Sequence, residues 1–530
     1  RLSPRHPVPW RPSMITRNNN VRKIVRFAAA FALSTLAMGS GQVAIAQYPP
    51  PAPQPGEPLF AAPPAPAAPS YLPPPPPSQV VPPTRPAEAM LPPPPAPPEP
   101  PPKPAVVSKF SAELYGFVEL DIIRDSTQSY QEIGGNAAIV HTPAPTSAQV
   151  TAGTAPATPY GADHSRLSFS PRNSRFGVKL KGPDSPDLKT SAVMEMDFLG
   201  NQPPGISDAA LLTNPTFRIR HMYLKLETPS LTILAGQTWN LFGWGASYFP
   251  NSVQIMGLPG QIFSRTPTLR LTAPIKLDTV TIEVAVGANR GGQRDGGYPD
   301  LVGGLRLLVN NWKGVHTANS TGTSIDPAGI AVSGIARKLN VNGFPDDPAK
   351  PSSVNKYAGG MSIDAMIPIV PARGTDRGNG LTLTGSFVFG TGIADLYTGL
   401  TGGVANPGRT DPMAAAYAPN IDPGIVVYDA GYTLHTVDWL SYMGGLQYYI
   451  PSGYAWISAN YSHLQSNNAK DLFPGRASVF DQSDWGDLNL FWDVNAAARI
   501  GFEVSYAEQK YLDGSKGHDW REQLGLFYIF

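Results

Sequence analysis

The chain has 530 residues with 40 Lys and Arg against 39 Asp and Glu, a formal charge of +1, so no bulk field points to nucleic acid or to an acidic partner. It is 42% hydrophobic but only 15% charged, below the roughly 25% of ordinary soluble domains, and past residue 40 the apolar residues never gather into a helical span. With no cysteine at all, disulfides and thiolate metal sites are excluded.

The first element in chain order is a leader. Arg17, Arg22, Lys23 and Arg26 precede an apolar run from Phe27 to Met38, and the small-residue sequence Ala44-Ile45-Ala46 precedes Gln47. This is the pattern of a secretory signal peptide cleaved after Ala46, with an apolar run too short for a permanent transmembrane helix. Met14 reads as the start, which makes residues 1–46 an upstream extension plus signal peptide. Residues 47–109 are a Pro-rich linker with runs at Pro73–Pro77, Pro92–Pro95 and Pro100–Pro102. Proline fixes φ and lacks a donor, so this disordered segment is expected to be extended polyproline II, reaching on the order of 180 Å in the periplasm. It reads either as a semi-rigid spacer or as a tether to peptidoglycan or a periplasmic partner.

Residues 110–530 alternate apolar and polar residues in short runs broken by turn signals, which predicts an all-β fold: a transmembrane antiparallel β-barrel of about 16 strands. Strand starts are expected near Ala112, Ser174, Asp187, Thr216, Ser230, Thr268, Asp278 and Asp300. The second half is expected to begin strands near Gly329, Asn355, Gly380, Thr436, Gly453, Gln482, Ala497 and Gly517. Tight turns at 182–186, 228–230, 451–453 and 495–497 alternate with long connections at 125–173, 239–267, 393–435 and 465–481. Short periplasmic turns and long extracellular loops produce that asymmetry, and a soluble sandwich does not. The last strand puts Leu524, Leu526, Tyr528 and Phe530 on one face, a C-terminal signal of a barrel handled by the barrel-assembly machinery and set in outer-membrane lipid.

The opposite register predicts the lumen. Arg175 and Lys179 oppose Phe176 and Val178; Arg218 and Arg220 oppose Phe217 and Ile219; Arg270 opposes Leu269 and Leu271; Arg306 opposes Leu305 and Leu307. A charge at the lipid midplane costs roughly 2–4 kcal/mol, so these basic residues are expected to line the interior along one wall. They serve either to meet anionic solute or to pair with the acids Glu119, Asp121, Glu195, Asp197 and Glu283. Inward small residues, Gly177, Gly236 and Gly304 among them, are expected to leave room for water. The connection 239–267 carries Trp239, Asn240, Trp244, Tyr248, Gln254, Gln261 and a single charge, Arg265. So aromatic and neutral a loop should collapse onto something: into the lumen as a constriction loop, or onto neighbouring loops or a partner subunit.

The run Leu114-Tyr115-Gly116-Phe117-Val118-Glu119-Leu120-Asp121 opens the barrel as Gram-negative porins do. Ser174-Arg175-Phe176-Gly177-Val178-Lys179-Leu180 and Gly236-Gln237-Thr238-Trp239 resemble the corresponding segments of DcaP-like porins. The resemblance covers about residues 110–530 and implies a homotrimeric, 16-stranded outer-membrane channel for small anions, dicarboxylates included. The leader departs from that group, with a proline-rich tract where those porins carry a helical periplasmic segment.

No Gly-x-Ser-x-Gly elbow, His-Glu-x-x-His, phosphate-binding glycine loop or cysteine nucleophile is present, so no enzyme and no cofactor is expected. His221, His435 and His463 read as girdle or lumen residues, and Asp346-Asp347 as solvated loop charge rather than a calcium site. Two functions remain: a passive diffusion porin for small hydrophilic solutes, preferring anions, or a structural or adhesive barrel with a plugged lumen.

Overall fold

The computed structural model describes residues 110–530, apart from 131, 133, 135–138, 140–163, 184, 201–215, 255–256, 293–296, 342–353, 398–399, 401–407, 410–424 and 475–478. The signal peptide, the Pro-rich linker and Asp346-Asp347 therefore lie outside the described residues.

The first half holds β1 (Ser111–Asp125), β2 (Arg166–Ser170), β3 (Arg175–Lys181), β4 (Lys189–Asp197), β5 (Arg218–Glu227), β6 (Thr232–Trp239), β7 (Arg265–Lys276), β8 (Val280–Asn289), β9 (Asp300–Ala318) and β10 (Gly322–Val341). It continues with β11 (Val354–Val370), β12 (Leu381–Thr391), β13 (Gly408–Arg409), β14 (Val426–Tyr428), β15 (Leu434–Thr436), β16 (Asp438–Tyr449), β17 (Ala455–Ser466), β18 (Phe480–Asp493), β19 (Ala498–Tyr511) and β20 (Lys516–Ile529). Each barrel strand pairs antiparallel with its neighbour in the chain, and β20 pairs back onto β1 from Phe117↔Ile529 to Asp125↔Arg521, so sixteen strands close into a ring. β2 and β3 share one edge of β1, as two halves of a strand interrupted at 171–174. β13, β14 and β15 form a small separate sheet within the connection from β12 to β16. There Asp429 accepts hydrogen bonds from His435 and from the amides of Gly431 and Thr433, which hold its carboxyl below the usual range.

Side chains alternate between two environments, and the sense is the reverse of a soluble protein. In β19 and β20 the buried register is Arg499, Glu503, Ser505, Asp519, Arg521 and Gln523, while Phe502, Trp520, Leu526 and Tyr528 are exposed. Leu114 is 63% exposed, Leu305 53% and Leu488 57%. Each such side chain forgoes roughly 1.5–3 kcal/mol of burial in water, so the outer face is shaped for lipid. Exposed aromatics form two belts, Tyr448, Tyr454, Trp492 and Tyr528 at the end of the short turns and Tyr357, Tyr461 and Trp520 at the loop end. On β20 the belts are eight residues apart, about 26 Å along the strand and about 20 Å along the axis at a tilt of roughly 40°, close to the ~25 Å apolar band of such barrels. Among the described residues no helix is long and apolar enough to cross a membrane.

The expected strand starts fall within three residues of those observed, except at β10, which begins at Gly322 rather than Gly329. β9 and β10 run past the turn between β7 and β8. Pairing jumps from Ala328↔Val309 to Pro327↔Lys313, a bulge that leaves 310–312 out of the β10 ladder and bends the hairpin. Its tip turns inward: Val315 and Thr317 are fully buried.

Candidate functional site: the barrel interior

The inward basic residues sit on β3, β5, β7 and β9, alternate strands of one half of the ring. Arg218 grips Asp197 through two hydrogen bonds of 3.0 and 2.7 Å. Arg220 bridges Glu195 at 2.7 Å and Asp197 at 3.0 Å. A bulge makes this bridge: Glu195 pairs with His221 and Met196 with Ile219, so Arg220 is the extra residue. Both neighbours therefore reach Glu195, His221 from 3.9 Å, with its Nδ1 3.1 Å from Thr238 Oγ1. Arg175 stands 3.6 Å from Glu195, beyond hydrogen-bond range. Arg306 meets Glu283 at 2.5 Å and donates to Ser247 at 2.9 Å. Arg270 donates to the Trp239 carbonyl, and Arg265 lies over the Trp239 and Phe263 rings at 4.7 and 5.9 Å. Lys179 pairs with Glu113 at 2.9 Å over the Tyr115 ring.

Three acids, Glu195, Asp197 and Glu283, thus pair with Arg175, Arg218, Arg220 and Arg306, while Arg265 and Arg270 meet a carbonyl or aromatic rings instead. Arg175 Nε, Arg265 Nη1 and Arg270 Nε are buried with no hydrogen-bond partner. Unpartnered guanidinium N–H groups out of bulk water are expensive, and an anion satisfies them.

The segment between β6 and β7 crosses the interior. Asn240 accepts from the Phe242 amide at 3.0 Å and from Asn289 at 2.8 Å. Trp244, left-handed at φ 49°, donates from Nε1 to Val332 O at 3.2 Å, and the Arg306 guanidinium covers its ring at 4.8 Å. Trp239, Phe249 and Phe263 pack with centroids 4.7–5.3 Å apart, and Tyr248 is buried beside them in sequence. Farther on, Asn251 is a hub: its Oδ1 accepts from Trp456 Nε1, and its carbonyl accepts from Ser458 at 2.8 Å and Asn460 at 2.7 Å. The Gln254 amide donates to Glu503 at 2.8 Å, and Gln261 Oε1 accepts from the Leu258 amide at 3.0 Å. The return leg is held by Ser441, which donates to Gly260 O at 2.8 Å, and by the Phe263 amide on Leu396 O at 3.0 Å. Apart from Asn289 on β8 and Leu396 in the connection after β12, these partners lie on β10, β16, β17 and β19, far round the ring from β6.

The other predicted acids form no ion pair with these arginines, although Glu119 acts on Arg175 electrostatically. Glu119 is buried against Asn173 and the Ser174 hydroxyl, and Asp121 accepts from Gln523 at 2.8 Å. With Glu503 and Asp487 they form an acidic wall over β1, β18 and β19, and Asp487 takes hydrogen bonds from Asn460, Trp485 and Asn489. Asn173, Glu503 and Asp487 were not singled out from sequence, although the last two follow the inward register of their strands.

The inward glycines do not simply leave space. A Cβ at Gly177 would sit 2.5 Å from the Tyr115 ring and one at Gly304 3.0 Å from the Trp244 ring, so each is the seat of an aromatic side chain. The expectation that they make room for water is corrected accordingly. Tyr528 and Phe530 face outward.

No protein-family model matches the chain, and no curated protein matches it in sequence. Among solved structures, the outer membrane channel DcaP of Acinetobacter baumannii is similar at 16% identity and a TM-score of 0.54, over 79% of this chain and 97% of that one. OprB of Pseudomonas putida matches at 11% identity and a TM-score of 0.44, over 80% and 94% of the two chains. OmpF of Salmonella typhi, in complex with daunomycin, matches at 11% identity and a TM-score of 0.41, over 79% and 97%. The chain has the fold of the DcaP channel.

Proposed function

We propose that the chain is a passive diffusion channel of the bacterial outer membrane, not an enzyme, and that it favours small hydrophilic anions of the dicarboxylate kind. The carrying observation is the imbalance on the basic wall, where four arginines share three carboxylates, two more pair with none, and three buried guanidinium N–H groups lack a hydrogen bond. The neutral segment that crosses the interior supports the same reading: it lies against the acidic wall through Gln254 and Asn251 and adds no carboxylate of its own. Phe110 enters β1 at the end of the short turns, which supports a periplasmic place for the Pro-rich linker. Assembly as a homotrimer belongs to the same proposal, supported by the apolar outer face.

A second reading, a plugged structural or adhesive barrel, is favoured by Phe117, Tyr449, Trp456, Phe491 and Phe527, which point inward and pack together. Single-channel recording of the refolded protein under a salt gradient decides between them. Stepwise conductance with an anion-selective reversal potential is expected, moving toward zero in Arg175→Gln and Arg270→Gln. A cation-selective pore would overturn the anion preference, and correctly folded but silent barrels would overturn the channel.

A further inference from the structure

The inward tip of the β9–β10 hairpin is a second structure inside the barrel, separate from the β6–β7 segment. Beyond the bend at 310–312 the hairpin is about eight residues long, a reach of about 26 Å. Trp312 donates to Pro368 O at 2.8 Å and the Ala372 amide to Lys313 O at 2.9 Å, which fixes the bend against β11 and the turn after it. Farther along, Thr382 donates to Val315 O at 2.6 Å, and Gln447 holds both the amide and the carbonyl of Thr317 at 2.9 and 3.0 Å. At the tip, Arg499 donates to Ser320 O at 2.9 Å and to Thr323 Oγ1 at 3.2 Å. From β10 to β19 is six steps round a ring of sixteen, through β11, β12, β16, β17 and β18, so the tip reaches far across the turn-end mouth.

Two further contacts tie the tip to the first crossing segment. The Asn319 amide donates to Pro250 O at 3.0 Å, and Asn251 donates to Asn319 O. Val315 and Val253 enter one apolar cluster with the inward aromatics Tyr449, Trp456, Phe491 and Phe527. The β10–β19 side of the interior is therefore filled by two crossing segments bonded to each other. On the other side Arg175, Arg218, Lys179 and Arg306 keep part of their side chains accessible.

We propose that the β9–β10 hairpin tip is a second, turn-end constriction, and that it confines solute to an off-centre route along the arginine wall. It narrows the path by occupying the β10–β19 side of the turn-end mouth, so it sets conductance. This rests on the channel reading above. A solute leaving the first constriction meets β3, β5, β7 and β9 on one side and the hairpin on the other, and the outward-turned face of the tip, with exposed Ser324, borders that route.

The test compares three full-length proteins in planar bilayers, with folding checked by heat-modifiable migration. One is the native sequence, one has residues 314–326 replaced by Asn-Gly, and one is Ser324→Cys, the sole thiol in a chain with no cysteine. The shortened hairpin is expected to raise conductance about twofold, since it widens the turn-end mouth and leaves the arginine wall in place. A sulfonate thiol reagent on Ser324→Cys is expected to cut the current stepwise, and this arm decides if the shortened protein does not fold. Native conductance with an unchanged shortened variant, or complete thiol modification with unchanged current, would overturn the second constriction and leave the channel reading standing. A silent native protein that conducts once shortened supports the constriction while overturning a permanently open channel. Silence in both overturns both.

Discussion

Arg521 and Asp125 show how much one buried pair decides at the seam between the first and last strands. They meet through hydrogen bonds of 2.7 and 3.1 Å, each side chain 1% exposed, with the guanidinium over Tyr130 at 5.2 Å. Arg521→Met leaves a lone buried carboxylate and is expected to cost about 3–5 kcal/mol, read as a lower unfolding midpoint in urea. Adding Asp125→Leu should recover most of the loss, because the destabilising agent is the uncompensated charge. Gly304→Val forces the Trp244 ring from its seat beneath Arg306 and is expected to cost about 1–3 kcal/mol in the same assay. The inward register of Arg175, Arg218, Arg270 and Arg306 was legible because the side-chain period of a strand is two. Their partners were not, since whether Glu195 or Glu119 meets an arginine depends on register across strands. The bulge that brings Arg220 and His221 both to Glu195 leaves no mark in the alternation.

Elements were readable where the alternation was unbroken. β16 to β20 begin within two residues of expectation, but Pro327 beside a bulge reads as loop, so the lower half of β10 and its inward tip went unseen. β2 was hidden too, its five residues lying inside a connection long enough to pass as structureless. The β6–β7 segment announced that it would collapse onto something, through its aromatics and lack of acids, but not onto which strands. Those strands are chosen by amide groups. Asn251→Ala removes the acceptor of Trp456 Nε1 and the donor to Asn319, loosening the segment from the hairpin while its backbone carbonyl keeps Ser458 and Asn460. The expected result is noisier open-channel current with mean conductance little changed. A quiet, native-like trace would show that the backbone contacts suffice.

For the molecule as a whole, all sixteen ring strands lie within residues 111–529. A chain starting at Phe110 is therefore expected to refold in detergent with the same heat-modifiable shift as the full chain. Failure of that shorter chain would assign the Pro-rich linker a part in folding. Architecture was the most legible level, because loop asymmetry and an apolar outer register are written along every strand. Closure has a temporal consequence. Gln523 bonds Asp121 across 402 positions of sequence, and Arg521 bonds Asp125 across 396. Contacts so remote carry a large loop-closure entropy and form slowly, so the ring cannot shut until the final strand has arrived. Through that interval both the first strand's free edge and the lipid-shaped leucines stand open to other chains. The protein is most vulnerable to aggregation before its last fifteen residues find their place.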